Sequence, residues 1–373
     1  MPTFRRGSDA VPGAGAGPQR VLDQTSPYRS RRLVIEYDGV TTAAYFSDDR
    51  GEVVAAAWLA NHQPAPPAAD QARIEAGQAP VMPAPHTKHP QGRPPLDPNV
   101  LEVVWFEEGD GVALLEAGQI LAVIPGWAGA SRGMPGYCRD AVGQTPFAWS
   151  LDDALEGLRP RVEQARAYWH WRGGEGAWGG FQQAVLGHLL NRLGPGAHYW
   201  DAGGDRLPMI GVTERPPTND RPYSVLSTVG MSSQRMPVVE QYVDDVSQYG
   251  RIELALASTL PSQNAARIFL WLAQYPWRAV TWFGPGHSVK WYHQPDTFPL
   301  GGGYEGVLVL SDPDRLPGPQ APDLSGFSFG GDPVHWLWVL PITEEERRLA
   351  KERGSASLVN HLAAQSRSWI VSG

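Results

Sequence analysis

A chain of 373 residues with 42% hydrophobic side chains can bury a core and has room for two domains of ordinary size. Its formal charge of −8 argues against nucleic-acid binding, which needs clustered Lys and Arg; the short clusters Arg5–Arg6 and Arg29–Arg32 do not reverse it. The single cysteine, Cys138, excludes an intrachain disulfide, and no apolar run approaches the roughly 18 residues of a membrane helix.

Residues 1–29, rich in Gly, Ala, Pro and Arg and without periodicity, read as a disordered, dispensable tail. They also lack the apolar centre of a signal peptide, so a cytoplasmic protein is expected. Leu33–Tyr37 and Thr41–Phe46 read as strands of a hairpin turned at Asp38–Gly39. Val53–Leu59 is an apolar run open to strand or helix. The proline-rich stretch 62–99 reads as a surface loop. Leu101–Phe106, Gly111–Leu115 and Gln119–Ile124 read as a three-stranded meander, which gives a β-rich module over residues 30–150.

Ser150 and Asp153 have capping-box spacing, so a helix is expected from there, broken or kinked at Pro160 and resumed through Trp171. With the glycine-rich run Gly173–Gly180 it forms a connector over residues 151–180. A second domain then spans residues 181–373. Its first helix carries Phe181, Val185, Leu186, Leu189, Leu190 and Leu193 at helical spacing and stops at Gly194–Pro195–Gly196. Tyr223–Thr228, Arg251–Ala257, Val280–Trp282, Ser288–Trp291, Gly306–Leu310 and His335–Leu340 are strand-like. Ser262 is placed to cap a helix that Pro276 ends. Thr343 with Glu346 forms a capping box for a helix that stops at Gly354, and Ser355 is placed to cap a last one. Strands and helices do not alternate regularly, so the fold class is α+β, with a mixed or antiparallel sheet flanked by helices.

No complete catalytic constellation is present. Gly129-Ala130-Ser131-Arg132-Gly133 matches G-x-S-x-G, but Met134–Pro135–Gly136 follows where a nucleophile elbow needs a helix. Gly13, Gly15 and Gly17 lack the strand and helix of a nucleotide loop. The histidines form no H-E-x-x-H and there is no cysteine pair, so no metal or cofactor is expected. His86 and His89 lie in the proline-rich loop. His287 and His293 flank a strand and read as hydrogen-bonded structural residues. The carboxylate pairs Asp152–Asp153, Asp244–Asp245 and Glu344–Glu346 sit at helix starts or in loops, where they complement the helix dipole. A hydrolase using Ser131 or a carboxylate pair is the alternative from another functional class.

From about Phe181 onward the order of features resembles the suppressor-of-fused domain family. The similarity runs from the helix ending in Gly194–Pro195–Gly196 through Ser227-Thr228-Val229-Gly230-Met231-Ser232 and Arg251-Ile252-Glu253-Leu254. It continues through Trp271-Leu272-Ala273-Gln274-Tyr275 and Gly286-His287-Ser288-Val289-Lys290-Trp291 to His335–Leu340 with Pro341-Ile342-Thr343-Glu344-Glu345-Glu346-Arg347. The resemblance implies a non-enzymatic α+β domain that binds proteins; in animals it sequesters a transcription factor whose peptide adds as a β-strand. Bacterial members resemble immunity proteins that neutralise polymorphic toxins, and this Ala-, Gly-, Pro- and Trp-rich composition is similar to theirs. The family's peptide-contacting tyrosine matches Tyr275. Its acidic contact, just before His287, falls on Gly286 and is lost. The partner-binding residues implied are Tyr275, Gly286 and His287, with Trp291, Pro341 and Glu346 structural. The partner expected is another protein, such as a basic toxin domain, and neither nucleic acid nor membrane.

Overall fold

A computed structural model describes residues 17–201, 206–291, 297–301 and 303–372. Its contacts divide the chain into two compact units, Met1–Gly173 and Gly174–Gly373. Among the described residues no helix is long and apolar enough to cross a membrane.

The first unit contains a four-stranded antiparallel sheet in chain order: β1 (Gln19–Thr25), β2 (Arg31–Tyr37), β3 (Thr41–Asp48) and β4 (Val53–Asn61). The β2–β3 turn forms because Asp38 accepts from the amides of Val40 and Thr41 at 3.0 and 2.9 Å, with Gly39 at a φ of 89°. Alternation then sends Leu33, Ile35, Ala44, Phe46, Ala55, Ala57 and Leu59 to one buried face. After α1 (Gln71–Glu75) comes a five-stranded sheet of β5 (Leu101–Trp105), β6 (Val112–Glu116), β7 (Gln119–Ile124), β8 (Tyr137–Cys138) and β9 (Trp149–Ser150). One face of it packs through Val112, Leu114, Ala122 and Ile124 against the first sheet. The other packs through Val104, Phe106, Ala113, Leu115 and Val123 against Leu158, Val162 and Ala165 of α2 (Leu155–Arg172).

Several expectations are corrected here. The tail expected over residues 1–29 is shorter: Gln19–Thr25 is a strand paired with β2, and Tyr28 is buried, donating to the Glu107 carbonyl at 2.7 Å. As an edge strand exposed on most of its side chains, β1 is held by backbone bonds and shows no apolar period. Residues 1–16 of that expected tail lie outside the described residues. The proline-rich loop is pinned into the core: Asn61, which accepts from Trp58 Nε1 at 2.9 Å, bonds both backbone groups of Met82. Ser150 makes no capping bond. Helix α2 starts at Leu155, runs without a break through Pro160, and packs within the first unit rather than serving as a connector. Pro160 lies so near the N-terminal end that the one helical bond it removes, to Glu156, is tolerated.

The second unit opens with α3 (Ala177–Leu193), which includes Gly179 and Gly180 of the expected hinge. Its sheet, in order β10-β11-β12-β13-β18-β15-β14, comprises β10 (Tyr199–Asp201), β11 (Gly211–Arg215), β12 (Ser224–Val229), β13 (Ile252–Ser258), β14 (Ser288–Lys290), β15 (Gly306–Leu310) and β18 (His335–Ile342). All pairs are antiparallel except β13 with β18. A small ribbon of β16 (Ser328–Phe329) and β17 (Asp332–Pro333) stands apart from it. Helices α4 (Ser262–Leu272), α5 (Tyr275–Ala279), α6 (Glu344–Arg353) and α7 (Ser355–Ala364) complete an α+β unit. Thr343 and Glu346 form the full capping box of α6. Ser262 does not cap α4; it follows Pro261 as the first helical residue and donates instead to Glu214. Val280–Trp282 is not a strand, because Val280 ends α5 at a φ of 51° and the Thr281 amide bonds back to the Pro276 carbonyl.

Candidate interaction site

The centre of the second unit is wired by a buried carboxylate. Glu253 on β13 is fully buried, and its Oε1 accepts from the Gly230 amide at 2.9 Å and from the Ser232 amide and hydroxyl at 3.0 and 2.6 Å. Its Oε2 accepts from Thr228 at 2.6 Å. Burial pushes the carboxyl's pKa up, opposed by the hydroxyls of Ser232 and Thr228. These bonds fix the turn after β12, where Gly230 has a φ of 119°. Beside it, Asp332 bridges Arg235, in a two-pronged contact at 2.7 and 2.8 Å, and Arg251 at 3.1 Å. Burial works to raise Asp332's pKa, and the two guanidiniums outweigh it to hold it low.

At one end of the sheet, β14 pairs only with β15 among the described residues. The Gly286 amide bonds Val309, the Val309 amide bonds His287, and the Trp291 amide bonds Glu305, at 2.7, 2.8 and 2.7 Å. Antiparallel alternation therefore turns the peptide groups of Ser288 and Lys290 outward, away from the sheet. Among the described residues no backbone bond uses that row, which has the form of a template for a further strand.

Next to this edge lies an aromatic shelf. His287 is half-buried with its ring edge-on to Trp282, centroids 4.6 Å apart. Its Nδ1 sits 3.3 Å from both the Trp282 carbonyl and the Gly284 amide, and burial holds its pKa below the usual value, against the pull of that carbonyl. Trp282 stacks in turn on Tyr242, which is 66% exposed, and approaches Tyr249, whose ring lies 6.0 Å from that of His335. Acidic Glu240, Asp244 and Asp245 share the segment with Tyr242 and Tyr249, which contains no Lys or Arg. Sequence reasoning missed this shelf; its signal was aromatic residues spaced through an acidic stretch.

The residues implied by resemblance are distributed as follows. Tyr275 opens α5, partly exposed, and stacks on Phe283 with the rings 11° from parallel and 6.0 Å apart. Gly286 has a φ of 85°, and a Cβ there would come within 2.2 Å of Ser355 Oγ, so no acidic side chain fits at this position without a shift. Trp291 is buried edge-on to Trp271 and Phe298 and donates to Thr297 at 3.2 Å. His293, expected on the same face, lies outside the described residues. Pro341 is buried in β18 opposite Val307, and its carbonyl accepts from Arg367, which also pairs with Glu346 at 3.0 Å.

Ser131 is exposed on a one-turn 3-10 segment, and a second strand, not a helix, comes next. Asp152 pairs with Lys88, Asp245 caps its own turn at Ser247, and Glu344 pairs with Arg347. Cys138 is buried, with its thiol pushed up to about 12 by desolvation. Among the described residues no cluster of three His, Cys, Asp or Glu side chains converges as a metal site would.

A family model described as Suppressor of fused protein (SUFU) matches residues 204–372. The match begins after α3, so the helix ending in Gly194–Pro195–Gly196 lies outside it. Solved structures similar to the chain include a putative SUFU homolog from Neisseria gonorrhoeae FA 1090. It is 16% identical, with 52% of this chain and 93% of that one covered and a TM-score of 0.38. The Sufu-Fu complex is similar at 14% identity, with coverages of 52% and 89% and a TM-score of 0.37. Drosophila Suppressor of Fused follows at 13% identity, 52% and 49% coverage, and a TM-score of 0.33. No curated protein matches the chain.

Proposed function

We propose that this chain is a non-enzymatic protein-binding module, which takes an extended segment of its partner onto the open edge of β14. The observation that carries the reading is that outward row of peptide groups at Ser288 and Lys290 beside the shelf of His287, Trp282 and Tyr242. Backbone bonds supply strand affinity, and exposed aromatics supply anchor energy. The match to the SUFU model over residues 204–372 supports a binding role. The partner is a basic toxin domain, which a cytoplasmic immunity protein of net charge −8 meets with favourable steering. Tyr275 and His287 flank the docked segment, while Gly286 contributes only backbone.

The test is co-expression with the protein encoded next to it, read by co-purification and rescue of growth. A pair that neither co-purifies nor rescues rejects the immunity role. For a partner that binds, Tyr275→Ala is expected to weaken affinity by about 1–3 kcal/mol without unfolding the chain. Ser288→Pro removes an outward amide that no sheet bond uses, so it is expected to abolish binding at unchanged stability. Full affinity in Ser288→Pro rejects the edge.

A further inference from the structure

Two arginines at the far side of the same unit have no carboxylate in ion-pair range among the described residues. Arg215 closes β11 and is 4% exposed. Alternation puts it on the face shared with Thr213, whose Oγ1 is 3.4 Å from Nη1, and α3 offers the Leu186 carbonyl at 3.3 Å from Nη2. Both contacts are long for N–H···O bonds. The Nε is shielded from solvent and has no acceptor among the described residues.

Arg221, in the loop leading to β12, folds back so that its Nη2 donates to the carbonyls of Arg215 and Pro216, at 3.4 and 2.7 Å. Its Nε is likewise shielded without an acceptor. Neither guanidinium has a carboxylate within ion-pair range among the described residues. Burial lowers the pKa of both, and the charge of Arg221 lowers that of Arg215 further. Glu214 offers no relief. It points to the opposite face, where His198, Ser224 and Ser262 hold its carboxylate.

The contrast within the molecule is direct. Arg251, which is as buried as Arg215, shares Asp332, and Arg93 bonds both Glu116 and Asp140. The Arg215 guanidinium packs onto the backbone of Gly196, where a Cβ would lie 1.9 Å from Nη1. The Gly194-Pro195-Gly196 turn after α3 thus lies directly against the guanidinium.

Two neighbouring, desolvated like charges are costly until an opposite charge joins them. A phosphate dianion balances two guanidiniums, and their planar forks match its oxygens. We propose that Arg215 and Arg221 form a binding site for a phosphate group, lying between the end of β11, the turn after α3 and the loop before β12.

The test is thermal melting of the full chain in potassium phosphate against potassium chloride at matched ionic strength, with calorimetric titration of inorganic phosphate. The expected result is a rise in the melting midpoint of about 3 °C near saturation, by linkage of binding to folding. One phosphate is expected to bind per chain. O-phosphoserine matching that rise assigns the phosphate group in general; a response to inorganic phosphate alone assigns the free ion. Arg221→Gln is expected to abolish the response while its midpoint in chloride stays within about 2 °C of the parent. Arg215→Met is expected to lose the response as well, with a midpoint in chloride that holds or rises, because an unbalanced buried charge has gone. Equal midpoints in phosphate and chloride overturn the site, as does an Arg221→Gln protein that keeps the full response.

Discussion

In the four-stranded sheet of the first unit, every strand pairs with its neighbour in sequence: β1 with β2, β2 with β3, β3 with β4. In the second unit β13 lies parallel to β18, with α4, α5, β14, β15, β16 and β17 between them in the chain. Hairpins are specified by local turn chemistry, as Asp38 and Gly39 do for β2 and β3. A parallel pair has no turn to specify it, and the second unit relies on long-range polar contacts instead. Trp336 on β18 donates to Ser227 on β12 at 2.9 Å, reaching past β13, and Glu253 ties β13 to the turn after β12. The locally built unit carries a two-layered apolar core. The second unit adds a fully buried carboxylate, Glu253, that ties neighbouring strands together, and β14 at one end of its sheet.

The largest expected effect tests whether that edge is packed from behind. Trp291 continues β14 into the core, against Trp271 and Phe298. Trp291→Ala is expected to cost about 3–5 kcal/mol, measured by urea denaturation, as for a large buried aromatic. A variant of unchanged stability with lost partner binding would instead make Trp291 a contact residue and extend the interaction surface into the sheet.

What the sequence made legible follows the same division. Strands β2, β3, β6 and β7 of the first unit were readable because they pair antiparallel across short turns that carry Gly, whereas Val53–Leu59 stayed open between strand and helix and the two-residue strands β8 and β9 left no signal. Edge strand β1 was not, since its side chains are mostly exposed and leave no apolar rhythm. In the second unit Thr343 and Glu346 announced α6, whereas Ser262 looked like a cap and proved to be a ligand of Glu214, a pairing only the sheet brings about. The same holds for the site. Tyr275, Gly286 and His287 were placed by resemblance to family motifs, but Tyr242 and Trp282 are 40 positions apart by number and meet only through folding. Arg215 and Arg221 carried no motif at all; that no carboxylate among the described residues pairs with them is visible only in the fold.

A smaller effect probes the paired charges around Glu116 in the first unit. Glu116 bonds Arg93 and Arg139, both at 2.5 Å, and Asp140 bonds the same two arginines at 2.7 and 3.2 Å. Burial works to raise Glu116's pKa, but the guanidiniums of Arg139 and Arg93 outweigh it and hold it below the usual value. A carboxyl whose folded pKa is lowered stabilises the fold above its unfolded pKa and loses that contribution as pH falls through the lower folded value. Glu116→Gln is therefore expected to cost about 1–2 kcal/mol at neutral pH, and less as the parent is acidified below about pH 4. A cost that does not change with pH would show that shape, not charge, holds this corner together.

The smallest expected effect falls at Ser131, where the first unit offers a catalytic look-alike. Both glycines of the G-x-S-x-G spacing have structural reasons. Gly129 and Met134 exchange backbone bonds at 2.8 and 3.1 Å, closing the loop on itself. A Cβ on Gly129 would meet Arg132 Nε at 2.7 Å, and Gly133 ends the turn at a φ of 67°. Arg132 folds back to donate to the Trp127 carbonyl at 2.5 Å. The spacing is thus accounted for by a tight turn between β7 and β8, and the serine rides exposed at its tip. Ser131→Ala is expected to change stability by less than about 0.5 kcal/mol, as for other exposed positions. Gly133→Ala is expected to cost about 1 kcal/mol through its left-handed backbone. A serine-directed fluorophosphonate probe is expected to leave the parent unlabelled, because no helix follows the serine to form the elbow that exposes an activated hydroxyl. Labelling that disappears in Ser131→Ala would overturn this reading and restore the hydrolase alternative. Equal costs at Ser131 and Gly133 would break the argument that the turn, rather than any chemistry, sets the spacing.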